Sequence, residues 1–165
     1  MLISVVVITY NRARSLQDTL ACLRAQRVSG FEYEVVVVDN NSSDDTRDVV
    51  GAAQQAQGDG RLRYCFEGRQ GQGYARNTGL EAARGDVVAF TDDDVEPQPD
   101  WLAALARAFD RYGADCVYGK VLPRWQAPPP VWLGAYFQSR LAMLDRGDAS
   151  LVVTSANQQF VCANM

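Results

Sequence analysis

The sequence predicts an α/β protein, a three-layer αβα sandwich around a mostly parallel sheet. Three observations carry that expectation. The apolar runs "LISVVVIT" and "YEVVVVD" are continuous and β-branched, as in strands buried on both faces. Segments of helical period separate these runs, which is the βαβ pattern. Nearly every run then ends in polar residues, as expected at the carboxyl edge of such a sheet.

Residues 2–9 read as the first strand. Helix 14–27 follows, with Leu16, Leu20 and Leu23 on one face and Ser15 and Asp18 as a capping pair. Residues 33–39 form a second buried strand. Residues 42–56 read as a helix opened by serine and aspartate, with Val49, Val50 and Ala53 inward. Residues 61–67 alternate as a third strand, 73–84 are helical, and 86–91 are a fourth strand. Pro99 and Asp100 open a helix running to 112, with Trp101, Leu102, Leu105, Ala106 and Phe109 inward. Residues 114–122 read as a fifth strand. Beyond it the pattern breaks into a loop at 123–130, a helix over 131–147 and the start of a strand at 160–165. The chain is read as one domain, 1–165, with βα units over 1–122 and a second region from 123. An end inside an apolar strand is the expectation for part of a longer protein, with an edge open to self-association.

Composition narrows the function. The chain has 165 residues, no histidine and a formal net charge of −4. Histidine bases, Ser-His-Asp triads and His-ligated zinc are excluded within it. Without a Lys/Arg-rich run it offers no nucleic-acid surface. The four cysteines, Cys22, Cys65, Cys116 and Cys162, are scattered among apolar residues and read as small buried hydrophobes in a reducing compartment. No run of 18 apolar residues is present, so no transmembrane segment is expected.

The strand ends carry the chemistry. The first ends in Thr9, Tyr10, Asn11 and Arg12, the second in Asp39, Asn40 and Asn41, the fourth in Asp92, Asp93 and Asp94. Tyr10 offers an aromatic face to a base, Asp39 a carboxylate to an imide N–H, and Arg12 a fork for phosphate. Each also has a plain structural use: strand-end Asp and Asn cap helices, and a tyrosine packs. The loop "GRQGQGYARN" has Arg76 where a dinucleotide fingerprint needs glycine, so a Rossmann dehydrogenase is disfavoured. Three adjacent carboxylates suit Mg²⁺ or Mn²⁺, which bind carboxylate oxygens and leave positions for phosphate. Strand alternation would turn Asp92 and Asp94 to one ligand and Asp93 elsewhere. A phosphatase-like domain would need an acidic cluster at the first strand, where "TYNR" has none.

The motifs "VVVITYNR", "EVVVVDNNSSDDT", "GYARNTGLEAARGDVVAFTDDDVEPQPDWL" and "VCANM", in order over nearly the whole chain, resemble the family 2 glycosyltransferases of GT-A fold. The resemblance implies a Rossmann-like nucleotide-diphospho-sugar transferase fold. It also implies metal-dependent inverting transfer of a sugar, usually from a UDP-sugar, to a growing polysaccharide, glycolipid or other glycan, as in cell-envelope polysaccharide synthesis. Thr9, Tyr10, Asn11 and Arg12 would line the nucleotide, with Asn41 and Asp93 beside them and Asp39 on the base. Arg76 would lie near the diphosphate. Asp92 would meet the ribose or the metal-bound diphosphate, and Asp94, with Asp92, the metal of a DxD motif. The general base falls beyond Met165, so a non-catalytic sugar-nucleotide-binding module is the alternative. The expected setting is the cytoplasm or the inner face of a membrane.

Overall fold

The computed structural model describes residues 1–125, 127–130, 132–133, 143–145 and 147. Eight elements follow in order: β1 (Leu2–Thr9), α1 (Ala13–Arg24), β2 (Glu32–Asp39), α2 (Thr46–Gln57), β3 (Leu62–Phe66), α3 (Gln72–Ala82), β4 (Val87–Asp92) and α4 (Trp101–Tyr112). The sheet order is β3-β2-β1-β4, and every pair is parallel.

Strand alternation builds the layers. Ile3, Val5 and Val7 of β1 and Tyr33, Val35 and Val37 of β2 join one core with Leu16, Leu20 and Leu23 of α1, Val50 of α2, and Leu102 and Leu105 of α4. Val6, Val36 and Val38 face the other way, onto Ala75 and Ala82 of α3. Right-handed crossovers account for the split. The chain steps outward from β1 to β3 with α1 and α2 on one face. It then returns across the opposite face through α3, which places β4 on the far side of β1. The reversal of strand order therefore falls between β1 and β4, where open α/β sheets bind ligands.

Two glycines fix how closely α3 and its exit approach β1. A Cβ on Gly79 would lie 2.4 Å from Val6 Cγ1. One on Gly85 would lie 2.7 Å from both the Leu2 carbonyl oxygen and the Ser4 amide nitrogen. The end of α3 is held by buried polar groups. The Arg84 N–H donates to Glu34 Oε1 (2.9 Å), the Gly85 N–H to Ser4 Oγ (2.8 Å), and Arg63 to Glu34 Oε2 (2.9 Å). These bonds stop α3 at Ala82, short of the expected 84.

Other expectations need correction. Ser15 and Asp18 do not cap α1. The Ala13 N–H donates to Asp44 Oδ2 at 2.9 Å, and Ser15 Oγ bonds the Arg12 carbonyl. α2 starts at Thr46 because Ser42, Ser43 and Asp44 are engaged with the neighbouring loop. Residues 114–122 form no strand. Gly113 turns left-handed (φ 54°) behind α4, and the segment then runs with Asp115, Cys116 and Lys120 exposed and Val117 packed against the core. Among the described residues its ladder contact is a single antiparallel bridge, Val121 to Leu144. The described residues within the expected helix 131–147, Trp132, Leu133, Met143, Leu144, Asp145 and Gly147, are not helical. The rest of that helix, the strand at 160–165 and Cys162 lie outside the described residues. Cys22 and Cys65 are partly exposed and Cys116 is exposed, not buried; all three are free thiols.

Gly79→Ala should destabilise the fold by about 1–3 kcal/mol, because β-branched Val6 has no room to yield. Urea unfolding measures it, and adding Val6→Ala should recover part of the loss. An unchanged midpoint for Gly79→Ala would contradict the packing described.

Candidate functional site

Strand register brings the polar ends together. Thr9 pairs with Asp39, Asp39 with Phe66, and Ile8 with Asp92. At the crevice between β1 and β4, Arg12 Nη1 reaches Asp94 Oδ2 at 2.7 Å and Asp93 Oδ1 at 3.2 Å. The Arg12 and Asp94 side chains are each about half exposed, so their ion pair contributes about 0–1 kcal/mol. Asp93 is buried, at 4% exposure. Burial pushes its carboxyl up from the ordinary range, opposed by the Thr9 hydroxyl and the Arg12 charge. That hydroxyl influences Asp93 but makes no hydrogen bond of normal geometry. The Asp92 carboxyl is also raised, first by burial and then by the charges of Asp94 and Asp93, with Arg76 and Arg12 opposing. Strand alternation ends at Asp92: Asp93 and Asp94 lie in a turn and share Arg12 instead of pointing apart.

The β1–α1 and β2–α2 loops are stapled to each other. Asn11, at φ 52°, takes the Ser43 N–H on Oδ1 (2.7 Å) and donates its own N–H to Ser42 Oγ (2.9 Å). Asp44 joins the Ala13 N–H to Thr46. Asn and Asp tolerate such backbones and bond locally, which is why they stand here. Asp39 is 3% exposed. Its Oδ1 accepts the Ser42 N–H at 2.8 Å and its Oδ2 the Tyr64 O–H at 2.7 Å. Burial, then this bond, pushes the Tyr64 phenol up to about 12. Tyr10 and Asn41 are exposed at the same edge, Asn41 at φ 67°.

A third loop, 67–71, rests on Asn40, which the sequence placed at the second strand's polar end, and on Glu67, to which it gave no role. The buried Asn40 amide donates to the Glu67 carbonyl (3.2 Å) and the Arg69 carbonyl (2.7 Å), and its Oδ1 accepts the Gly71 N–H (2.8 Å). The Glu67 carboxylate accepts Arg69 Nε (2.9 Å), Arg69 Nη2 (2.8 Å), the Arg69 N–H (2.8 Å) and the Thr78 hydroxyl (2.7 Å). Those bonds, Arg69's side chain first, hold its carboxyl at about 2, with burial opposing less strongly. The signal of Glu67 in the sequence was an acid two residues from an arginine at a strand end. Gly71, at φ 138°, then opens α3. One turn along α3, Arg76 has its guanidinium 5.7 Å from the Phe90 ring centre and a buried Nε without a hydrogen-bond partner.

The donor set fits a hard divalent cation. Asp92 and Asp94 crowd their negative charges, which a cation would relieve, and both offer oxygen. Among the described residues no three His, Cys, Asp or Glu side chains gather around one point. Such an ion would therefore take part of its shell from a bound ligand and water.

The profile of "Glycosyl transferase family 2" matches residues 4–155. The chain belongs to this family. It is 34% identical over 152 residues to the glucosyl-dolichyl phosphate glucuronosyltransferase of Haloferax volcanii, covering 89% of this chain and 47% of that one. Among solved structures, S. aureus TarS in complex with UDP-GlcNAc superposes with a TM-score of 0.63 at 30% identity, over 75% of this chain and 37% of that one. The mannosyltransferase PcManGT of Pyrobaculum calidifontis, in complex with GDP-Man and Mn²⁺, gives a TM-score of 0.60 at 33% identity, over 65% and 32%. The fold is therefore GT-A. This family 2 chain spans less than half of the length of the curated relatives it matches, from 47% down to 14%. Among its described residues no helix is long and apolar enough to cross a membrane.

The Glu67 hub makes a pH prediction. A carboxyl whose folded pKa lies below its unfolded value contributes stability above the unfolded pKa, and loses it as pH falls through the folded one. For Glu67 that window runs from 4.5 down to about 2. Glu67→Gln should flatten the fall of the urea midpoint across it. Parallel wild-type and variant slopes would contradict the hub.

Proposed function

We propose that this chain forms the donor-binding part of a metal-dependent, inverting glycosyltransferase that takes its sugar from a UDP-sugar. The observation that carries the reading is the gathering of Arg12, Arg76 and Asp92–Asp94 at the crevice between β1 and β4. In an acidic chain with net charge −4, an anionic donor needs local positive charge. Arg12 and Arg76 supply it at the diphosphate, Arg76 with an unpartnered Nε. Asp92 and Asp94 are the carboxylates that would hold Mn²⁺ or Mg²⁺, whose chemistry is to neutralise the diphosphate as it leaves. Exposed Tyr10 provides a stacking face for the base, beside Thr9, Asn11 and Asn41. Buried Asp39 serves the base both through its remaining lone pairs and by holding the loop. Asp93 acts from below, by fixing Arg12.

Binding of UDP-GlcNAc by TarS and of GDP-Man with Mn²⁺ by PcManGT supports a sugar-nucleotide donor and a divalent ion. The dolichyl-phosphate-linked relative supports a glycan or lipid-linked acceptor. Free thiols at Cys22, Cys65 and Cys116 fit a reducing, cytoplasmic setting, with the membrane's inner face as the place to meet such an acceptor.

Calorimetric titration of UDP, with GDP and dTDP as controls, tests this. Mn²⁺ should tighten UDP binding roughly 5–150-fold over EDTA, and Asp94→Ala should abolish the difference. Equal UDP affinity with Mn²⁺ and with EDTA would overturn the metal bridge, and preference for GDP would overturn the choice of UDP.

A further inference from the structure

We propose that Thr19 of α1 is a positioning residue for the acidic turn, acting through the Val95 carbonyl; this rests on the reading of Asp92 and Asp94 as cation ligands. Thr19 lies in the apolar stripe of α1 with Leu16, Leu20 and Leu23, and is 1% exposed. A helical threonine commonly turns its hydroxyl back to a carbonyl of its own preceding turn. Thr19 Oγ1 instead donates to the Val95 carbonyl at 2.8 Å, across 76 residues of sequence.

Val95 directly follows Asp94. On the amino-terminal side the aspartates are anchored by the β1–β4 ladder, which ends at Ile8 and Asp92. On the carboxyl side, residues 95–100 have no regular structure; Glu96 pairs with Arg124, and the remaining anchors come from α1 and the residues just past it. Gln26 Nε2 donates to the Gln98 carbonyl (2.8 Å), the Leu102 N–H donates to Gln26 Oε1 (3.1 Å), and the Arg27 N–H donates to the Pro99 carbonyl (2.7 Å). The Thr19 bond is the anchor next to the carboxylates, and the Gln26 bonds lie further along. The backbone spacing of Asp92 and Asp94 is therefore set between the strand ladder on one side and the Thr19 hydroxyl on the other, while Arg12 holds the Asp93 and Asp94 side chains between them. Without that hydroxyl the Val95 carbonyl loses its partner and Asp94 drifts relative to Asp92, while the ladder and the base-side loops keep their own bonds.

The test uses the whole chain, with Mn²⁺ and UDP as probes. Thr19→Val keeps the shape and removes the donor, Thr19→Ser keeps the donor, and Thr19→Cys keeps a weak one. Removing a group that orients a metal ligand costs about 10–100-fold in metal affinity. Mn²⁺ binding to the UDP-loaded chain should weaken about tenfold in Thr19→Val, by less in Thr19→Cys, and by no more than about twofold in Thr19→Ser. UDP affinity in EDTA should be unchanged in all three, a split that general loosening of the fold would not give. If Thr19→Val does not fold, the contrast between Thr19→Cys and Thr19→Ser carries the test. Wild-type Mn²⁺ affinity in Thr19→Val and Thr19→Cys, or equal weakening in Thr19→Ser, overturns this inference alone. A wild-type chain that takes up no Mn²⁺ with UDP overturns the proposed function with it.

Discussion

Everything at the site depends on the pairing of β1 with a parallel neighbour on each side. Val5 stands between Val35 and Ala89, and from there the ladders fix where each strand stops. Parallel register leaves Thr9, Asp39, Phe66 and Asp92 at one edge, and side-chain alternation decides which helix layer each strand residue meets. The strands are apolar nearly throughout because helices cover both faces. Their polar termini are where the covering layers give way and backbone groups need partners.

Those termini are held by side chains doing two kinds of work. Asn11 and Asp44 staple the first loop to the second, and Asn40 and Glu67 shape the third. Each satisfies backbone N–H or carbonyl groups; the bonds of Asn40 and Glu67 are at least part-buried, where an unmade bond costs about 1–3 kcal/mol, whereas those joining Asn11 to Ser43 and Asp44 to Ala13 are exposed. Arg12, Arg76 and Asp94 are tied less firmly, by an exposed ion pair, a ring contact and a turn. The rigid set keeps the backbone in place, and the loosely held set is free to change partners for a charged ligand.

The four strands and four helices were legible because their apolar runs are long and their periods unmixed. Their ends were less so: Ser15 and Asp18 looked like a local cap, whereas α1 takes its cap from Asp44 on another loop, and no local pattern records a partner 31 residues away. The strand expected at 114–122 is absent because, among the described residues, only Val121 finds a ladder partner, although Val117 packs on the core. The acidic turn was legible as a cluster, since three carboxylates at a strand end are unusual in any sequence. Its internal geometry was not, because the extended alternation breaks at Asp93 and an arginine from β1's end intervenes. Thr19 and Gln26 were invisible for the same reason as Asp44. A polar residue on an apolar stripe announces that it needs a partner without saying which.

A nucleotide diphosphate and its cation are proposed to sit in the crevice between β1 and β4. Paramagnetic broadening of backbone amide signals by Mn²⁺, in the presence of UDP, measures that place directly. Signals of residues 9–12, 76 and 92–95 should broaden first. Those of 30–34 and 84–86, at the opposite end of the strands, should stay sharp. Broadening centred on that opposite end, or spread evenly over the acidic surface, would contradict the account.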